Sequence, residues 1–256
     1  MEEEKKSGHD HSGGPGTIQV VGIGPGDLSQ LTFKAHQALT EAQVIIGYST
    51  YLELIPAYLE GKEAISSGMM KEVDRCQKAV EMALQGKKVV VVSSGDPGVY
   101  GMAGLVLELS SPHGIQVEVV PGVTAANAAA AVLGAPLMHD FTVISLSDLL
   151  TPWEVIEKRL EAAAAGDFIV ILYNPASKKR KKQIIKAREI FLLHKDPKTP
   201  VGIVKNLYRD GQEVTISNLD NMLKQDIDMF TTVVVGNSKT YQQGNQMITP
   251  RGYNLP

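Results

Sequence analysis

At 256 residues the chain is long enough for one large domain or two of ordinary size, and long enough to bury a core. With 43% hydrophobic and 21% charged residues, 24 Gly and 5% aromatics, its composition is globular and excludes fibrous or disordered classes beyond the first residues. The net charge of −3 gives no general attraction to nucleic acid, no apolar run nears the roughly 18 residues of a membrane span, and no hydrophobic signal segment follows the start, so the expected location is the cytoplasm. A single cysteine, Cys76, excludes an internal disulfide and cannot alone supply a thiolate metal site.

Residues 1–16, MEEEKKSGHDHSGGPG, carry charge and glycine but nothing to bury, and are expected to be a disordered leader in which His9 and His11 hold no functional metal. From Thr17 onward, short β-branched runs alternate with longer amphipathic stretches, the pattern of an α/β fold with largely parallel strands. Strands are predicted at Ile18–Ile23, Val44–Ile46, Val89–Ser93, Val117–Val120, Thr142–Ser145, Phe168–Leu172, Val201–Val204, Val214–Ile216 and Thr232–Val235. Helices are predicted at Lys71–Gln85, Ala125–Leu133, Trp153–Ala165 and Lys178–His194, the third starting from Thr151 as N-cap with Pro152 at the first position. Gly and Pro interrupt the pattern in GAPLMHD, Gly134–Asp140, which places a boundary between an N-terminal α/β lobe, 17–137, and a C-terminal α/β lobe, 138–256. Two α/β lobes with mainly parallel sheets are therefore expected, and a crevice between lobes is a favoured ligand site.

The first predicted strand runs into Gly22-Ile23-Gly24-Pro25-Gly26-Asp27, which starts like a dinucleotide fingerprint and then departs from it. Asp27 stands where a pyrophosphate would need a neutral neighbour, and the second strand, Val44-Ile45-Ile46-Gly47-Tyr48, ends without an acid for ribose hydroxyls. Pro25 has no N–H to offer an anion and fixes its own φ. A nicotinamide dinucleotide is thus disfavoured, and no G-x-x-x-x-G-K-[ST] loop is present. Two further small-residue loops follow predicted strands, Ser93-Ser94-Gly95-Asp96-Pro97-Gly98-Val99-Tyr100-Gly101 and Pro121-Gly122-Val123-Thr124-Ala125-Ala126. Any one of them reads equally as a turn. Three at strand C-termini point to a binding edge.

These three segments resemble the marks of the tetrapyrrole methylases: V-G-x-G-P-G-D at Val21–Asp27, G-D-P at Gly95–Pro97, and P-G-[IV]-[ST]-A at Pro121–Ala125. The resemblance spans about Thr17 to Tyr253. It implies S-adenosylmethionine bound between two α/β lobes, a homodimer, and a small-molecule tetrapyrrole substrate rather than nucleic acid or membrane. The stretches Ser145–Trp153, Leu172–Lys178 and Thr249–Tyr253 are similar to the branch that methylates carbon 17 of precorrin-3B or cobalt-precorrin-3 in cobalamin synthesis, with ring contraction and lactone closure. Whether the ring already carries cobalt is left open.

For the cofactor, the resemblance implies Pro25, Gly95, Asp96, Val99, Tyr100, Thr124 and Ala125, with Tyr173, Asn174, Leu207 and Thr232 from the second lobe. Contraction and lactone closure call for a positioned acid or base, for which Asp148 is the first candidate and Asp27 the second, each reading equally as a capping or loop carboxylate. In the basic run Lys178–Lys182, otherwise a solvated helix face, Lys178 is the best placed to meet substrate carboxylates, with Arg251 second. Trp153 reads as core. The histidines lack ligand spacing, so no metal is assigned. Competing readings are a methyltransferase of this fold acting on another tetrapyrrole position, on ribosomal RNA or on a diphthamide-type protein, and a nucleotide-binding module without catalysis.

Overall fold

The computed structural model describes residues 14–68 and 71–254. The expected leader and its histidines therefore lie outside the described residues, apart from 14–16. The chain divides into two compact units: one runs to Gly22 and resumes at Thr32–Pro121, and the other takes Ile23–Leu31 and everything from Gly122.

In the first unit the elements are β1 (Thr17–Gly22), α1 (Phe33–Glu41), β2 (Val44–Tyr48), the one-turn α2 (Ser49–Leu52), β3 (Glu63–Ser67), α3 (Glu72–Leu84), β4 (Lys88–Ser93), α4 (Ala103–Ser110) and β5 (Gln116–Val120). The five strands form one wholly parallel sheet in the order β3-β2-β4-β1-β5. Burial on both faces explains the near-continuous Val/Ile runs of β2 and β4. Ile18, Val20, Val44, Ile46, Val89 and Val91 point to the face covered by α3 and α4, where they meet Cys76, Ala79, Ala83, Ala103 and Val106. Their strand neighbours Ile45, Val90 and Val92 point the other way, and α1, with Ala35, Ala38 and Leu39 buried, packs on β1 and β4. Thr32 starts α1 by accepting the Ala35 N–H at 3.1 Å. The connections from β1 and β4 thus leave to opposite faces, which makes the C-terminal edge between these two strands a topological switch point.

The second unit contains α5 (Ala125–Leu133), β6 (Gly134–Ala135), β7 (Phe141–Ser145), α6 (Trp153–Ala165), β8 (Ile169–Tyr173), α7 (Lys182–Leu192), β9 (Pro200–Lys205), β10 (Glu213–Asn218), β11 (Thr231–Val235), β12 (Tyr241–Gln243) and β13 (Gln246–Ile248). Its main sheet has the order β10-β9-β11-β8-β7, and β12-β13-β6 form a small second sheet. Here the expectation of mainly parallel pairing is corrected. Within this main sheet only β7 and β8 pair in parallel, because β11 inserts antiparallel between β8 and β9, and β10 folds back on β9. One face of the sheet packs with α6 and α7 around Leu160, Phe191, Val201 and Val233. The other packs with α5 around Ala129, Leu133, Ile171, Val204 and Val234. Gly202 lets α5 come that close, since a Cβ there would lie 2.3 Å from Leu133 Cδ1.

The division falls at Pro121–Gly122, ahead of the Gly134–Asp140 interruption read from the sequence. The physical reason is that α5 packs on β11 and that β6, inside that interruption, pairs with β13 of the second unit. Two helix starts also differ. Pro152, not Thr151, is the N-cap of α6, and α7 begins at Lys182 because Ser177 and Arg180 close a turn on each other's backbone first.

Candidate active site

Because β4, β1 and β5 are adjacent and parallel, their C-terminal ends share one edge, and the three small-residue segments follow from it. In the first unit, the loop after β4 is shaped by its own backbone. Asp96 Oδ1 accepts the Gly98 N–H at 2.8 Å, its carbonyl accepts the Val99 N–H at 3.2 Å, and Tyr100 sits at φ +53° with its side chain more than half exposed. A left-handed tyrosine costs backbone energy, the kind of strain that clusters at functional loops. Gly95 is buried and also left-handed. Gly101 is required because a Cβ there would lie 2.6 Å from Pro97 O and 2.8 Å from Ser93 Oγ.

In the second unit, the Ile23–Leu31 loop is held by Arg209, a residue that stands in no recognisable sequence motif. Arg209 Nε donates to Pro25 O at 3.0 Å, and a Cβ on Gly26 would lie 2.5 Å from Arg209 Cγ and 2.6 Å from Tyr208 O. Arg209 belongs to the turn after β9, where Asn206 and Tyr208 are both left-handed, at φ +49° and +53°. Asp27 caps the 3₁₀ turn Leu28–Gln30 through a 2.7 Å bond from Ser29 N–H, and hydrogen bonding to Ser29 holds its carboxyl below the usual range. It is therefore an exposed carboxylate, fit to accept a proton but not to donate one at neutral pH.

The structure brings Thr124, Ala125 and Tyr173 together. The Tyr173 hydroxyl, at the end of β8, lies 2.6 Å from Thr124 Oγ1 and accepts the Ala126 N–H at 2.7 Å. Next to it, Asn174 is left-handed at φ +49°, and its Nδ2 donates to Ser145 Oγ at 3.0 Å. Leu207 and Thr232 are nearly buried, Leu207 within the core on the α5 side.

The loops after β7 and β8 are tied by Arg180, whose Nη1 donates to Leu146 O at 2.9 Å and to Asn174 O at 2.6 Å. Its Nε lies 3.9 Å from Asp148 Oδ1, while Gln183 Nε2 donates to Asp148 Oδ2 at 2.7 Å. Asp148 is thus a partly exposed carboxylate held by one hydrogen bond, from Gln183, with the Arg180 guanidinium as a more distant charge. Burial lowers the affinity of Arg180 for its proton, and Asp148 opposes that shift, so an arginine here stays charged. The basic run had drawn attention to Lys178, which is exposed, whereas Arg180 is the member that turns inward; only the turn geometry separates them. Arg251 is exposed and donates to Met138 O at 3.2 Å, joining none of these groups. Trp153 packs against the core of α6 and α7, with Lys186 Nζ 5.7 Å from its ring centroid. The Cys76 thiol is pushed up to about 11 by burial and offers no nucleophile. Among the described residues no three of His, Cys, Asp and Glu gather to hold a metal, and no helix is long and apolar enough to cross a membrane.

The family model described as Tetrapyrrole (Corrin/Porphyrin) Methylases matches residues 17–223. The chain is 53% identical over 244 residues to the cobalt-factor III methyltransferase of Priestia megaterium, covering 93% of this chain but 45% of that protein. It is 49% identical over 240 residues to the probable cobalt-factor III C(17)-methyltransferase of Salmonella typhimurium, covering 93% of this chain and 100% of that one. Among solved structures, that of the methyltransferase CobJ aligns with a TM-score of 0.87 at 41% identity, over 92% of this chain and 100% of that chain.

Proposed function

Because the chain belongs to the tetrapyrrole (corrin/porphyrin) methylase family, we propose that it transfers a methyl group from S-adenosylmethionine to carbon 17 of cobalt-factor III in cobalamin synthesis. The proposal includes the ring contraction and lactone closure expected of that branch. The observation that carries it is the 49% identity that extends over the full length of the Salmonella relative, with the same named substrate in the Priestia one. Those names favour a ring that already carries cobalt.

The local chemistry fits a sulfonium nucleoside. Its recognition needs hydroxyls, carbonyls and close backbone approach instead of a phosphate cradle, and Gly95, Asp96, Val99 and Tyr100 supply such a loop from the first unit. Pro25, Thr124, Ala125, Tyr173, Asn174, Leu207 and Thr232 are the other residues proposed for cofactor recognition. When bound, the cofactor supplies an electrophilic methyl group: the macrocycle carbon forms the new C–C bond, the S–CH₃ bond breaks, and its electron pair stays on sulfur as a neutral thioether. What the chain contributes to that step is orientation and exclusion of water. Asp148, with its carboxylate hydrogen-bonded by Gln183 and the Arg180 charge nearby, is the proposed proton acceptor for contraction and lactone closure, and Asp27 is the second candidate. Lys178 and Arg251 are proposed to meet peripheral carboxylates. The protein is proposed to work as a cytoplasmic homodimer without nucleic acid.

The test is incubation with labelled S-adenosylmethionine and cobalt-factor III, or with ribosomal RNA, followed by mass spectrometry of the macrocycle. Label in the macrocycle, on carbon 17 and with contraction, is expected. Label in RNA with none in the macrocycle sinks the reading.

A further inference from the structure

Arg75, on the first turns of α3, is 4% exposed and is the one arginine of the first unit's core. Its Nε donates to Ser67 Oγ at 2.8 Å, its Nη2 to Gly68 O at 3.2 Å, and among the described residues its Nη1 reaches only the thioether of Met102, at 3.7 Å. Among the described residues no carboxylate pairs with it. On its own helix, Asp74 pairs with Lys71 at 2.9 Å, and Glu72 forms no ion pair. Met69 and Met70, which follow Gly68, have no charge to offer. A guanidinium taken out of water without a counter-charge is strongly penalised, and such groups are found paired or against ligands.

The position matters as much as the burial. Ser67 ends β3 at the C-terminal edge of the sheet, and Met102 is the N-cap of α4, directly after the Ser94–Gly101 loop. Gly68 is exposed, so the guanidinium lies just beneath the surface at that edge. A thioether is a weak acceptor on a flexible stem and readily gives way to a stronger one. Planar N–H pairs of arginine match a carboxylate in two parallel bonds.

We propose that Arg75 is a ligand-binding residue that takes a carboxylate displacing Met102 Sδ from Nη1. This rests on the methyltransferase reading, which offers two sources of that chemistry: the acid side chains of the macrocycle and the amino-acid end of the methyl donor.

The experiment compares the full chain with its Arg75→Met and Arg75→Lys variants. Melting without ligand comes first. Removing an unpaired buried charge for an apolar side chain of similar length raises the melting temperature of Arg75→Met if the charge awaits a ligand, and lowers it if Arg75 is only a staple for Ser67 and Gly68. Calorimetry then uses S-adenosylhomocysteine and 5′-methylthioadenosine, which lacks the amino-acid end, and kinetics give KM for cobalt-factor III. A tenfold or greater loss of S-adenosylhomocysteine affinity with methylthioadenosine unchanged assigns the carboxylate to the methyl donor. Unchanged nucleoside binding with a tenfold or greater rise in KM, and a smaller change in kcat, assigns it to the macrocycle. Partial recovery in Arg75→Lys is expected in either case. Wild-type affinities and KM in Arg75→Met, with or without a lower melting temperature, overturn the inference. Absence of methyl transfer by the wild type overturns the functional reading instead.

Discussion

The Tyr173 hydroxyl accepts the Ala126 N–H at 2.7 Å, so the start of α5 is capped by a side chain from the end of β8. Thr124, which occupies the N-cap position, makes no capping bond of its own and instead lies 2.6 Å from the same hydroxyl. A helix start that would ordinarily be closed locally is here closed by a strand 47 residues later.

Tyr173→Phe therefore leaves the Ala126 N–H without its acceptor and is expected to lower stability by about 1 kcal/mol, the usual cost of losing a cap. Thr124→Val, which keeps the Tyr173 to Ala126 bond, costs less. Because the two hydroxyls share one contact, the double variant should lose less than the sum. Urea unfolding of the four proteins checks this, and additive losses would refute the shared cap.

Much of the first unit was legible because its central strands are buried on both faces, so β1, β2 and β4 stand out as β-branched runs, and β5, at the other edge, still shows as the valine-rich stretch Val117–Val120. Glu63–Ser67 did not, because β3 lies at the sheet edge and none of its residues is fully buried. The helices α1 and α4 escaped too, although Thr32 and its bond to Ala35 were a usable start signal for α1. In the second unit Thr231–Val235 reads identically whichever way it pairs, so the antiparallel insertion of β11 had no local signature. The three small-residue loops were readable as loops at strand C-termini, since glycine and proline spacing is local information. Arg180 and Arg209 were not legible, because their role depends on turns that aim them at carbonyls 34 or more positions away in sequence or, for Asn174, across one tight turn.

Gly26→Ala tests whether the proline loop must lie against the Tyr208–Arg209 turn. The added methyl would meet Tyr208 O at 2.6 Å, a backbone atom that cannot swing aside as Arg209 Cγ can. Overpacking of this kind costs roughly 1–3 kcal/mol. Methyl transfer is expected to fall at least tenfold, while Arg209→Ala, which removes the bond to Pro25 O but adds no bulk to the loop, has a milder effect. Activity in Gly26→Ala equal to wild type would show that the loop adapts freely.

At the far end of β8, Asp167, left-handed at φ +55°, accepts from Ser238 N–H at 3.0 Å, Ser238 Oγ at 2.7 Å and Lys195 Nζ at 3.3 Å. Partial burial alone would raise its proton affinity, but the bonds from Ser238 and the charge of Lys195 outweigh it and the carboxyl ends below its ordinary value of 3.8. With the folded value below the unfolded one, the unfolded chain binds the proton first as pH falls. The stabilisation is therefore complete above about pH 5 and disappears as pH drops through the folded value. Asp167→Asn is expected to be less stable than wild type at pH 7 and to approach it in urea titrations as pH falls through the lowered folded value. A gap that stays constant with pH would place its origin in packing rather than in charge.

Asp148 is the residue on which the proposed chemistry turns, and its geometry separates two functions. Gln183 donates to the carboxylate at 2.7 Å and Arg180 Nε places a positive charge 3.9 Å from it, while methyl displacement needs alignment but no strong acid or base. Asp148→Asn keeps the shape and removes the proton acceptor. Methylated macrocycle should still form, but contraction and lactone closure should slow by a hundredfold or more, so that a methylated, uncontracted product accumulates and is seen by its mass and absorption spectrum. Gln183→Leu, which leaves the carboxylate in place but loosens it, should reduce the same step by a smaller factor and shift its pH profile. If Asp148→Asn instead slows methylation and contraction equally, the carboxylate serves substrate placement and the proton acceptor must be sought at Asp27.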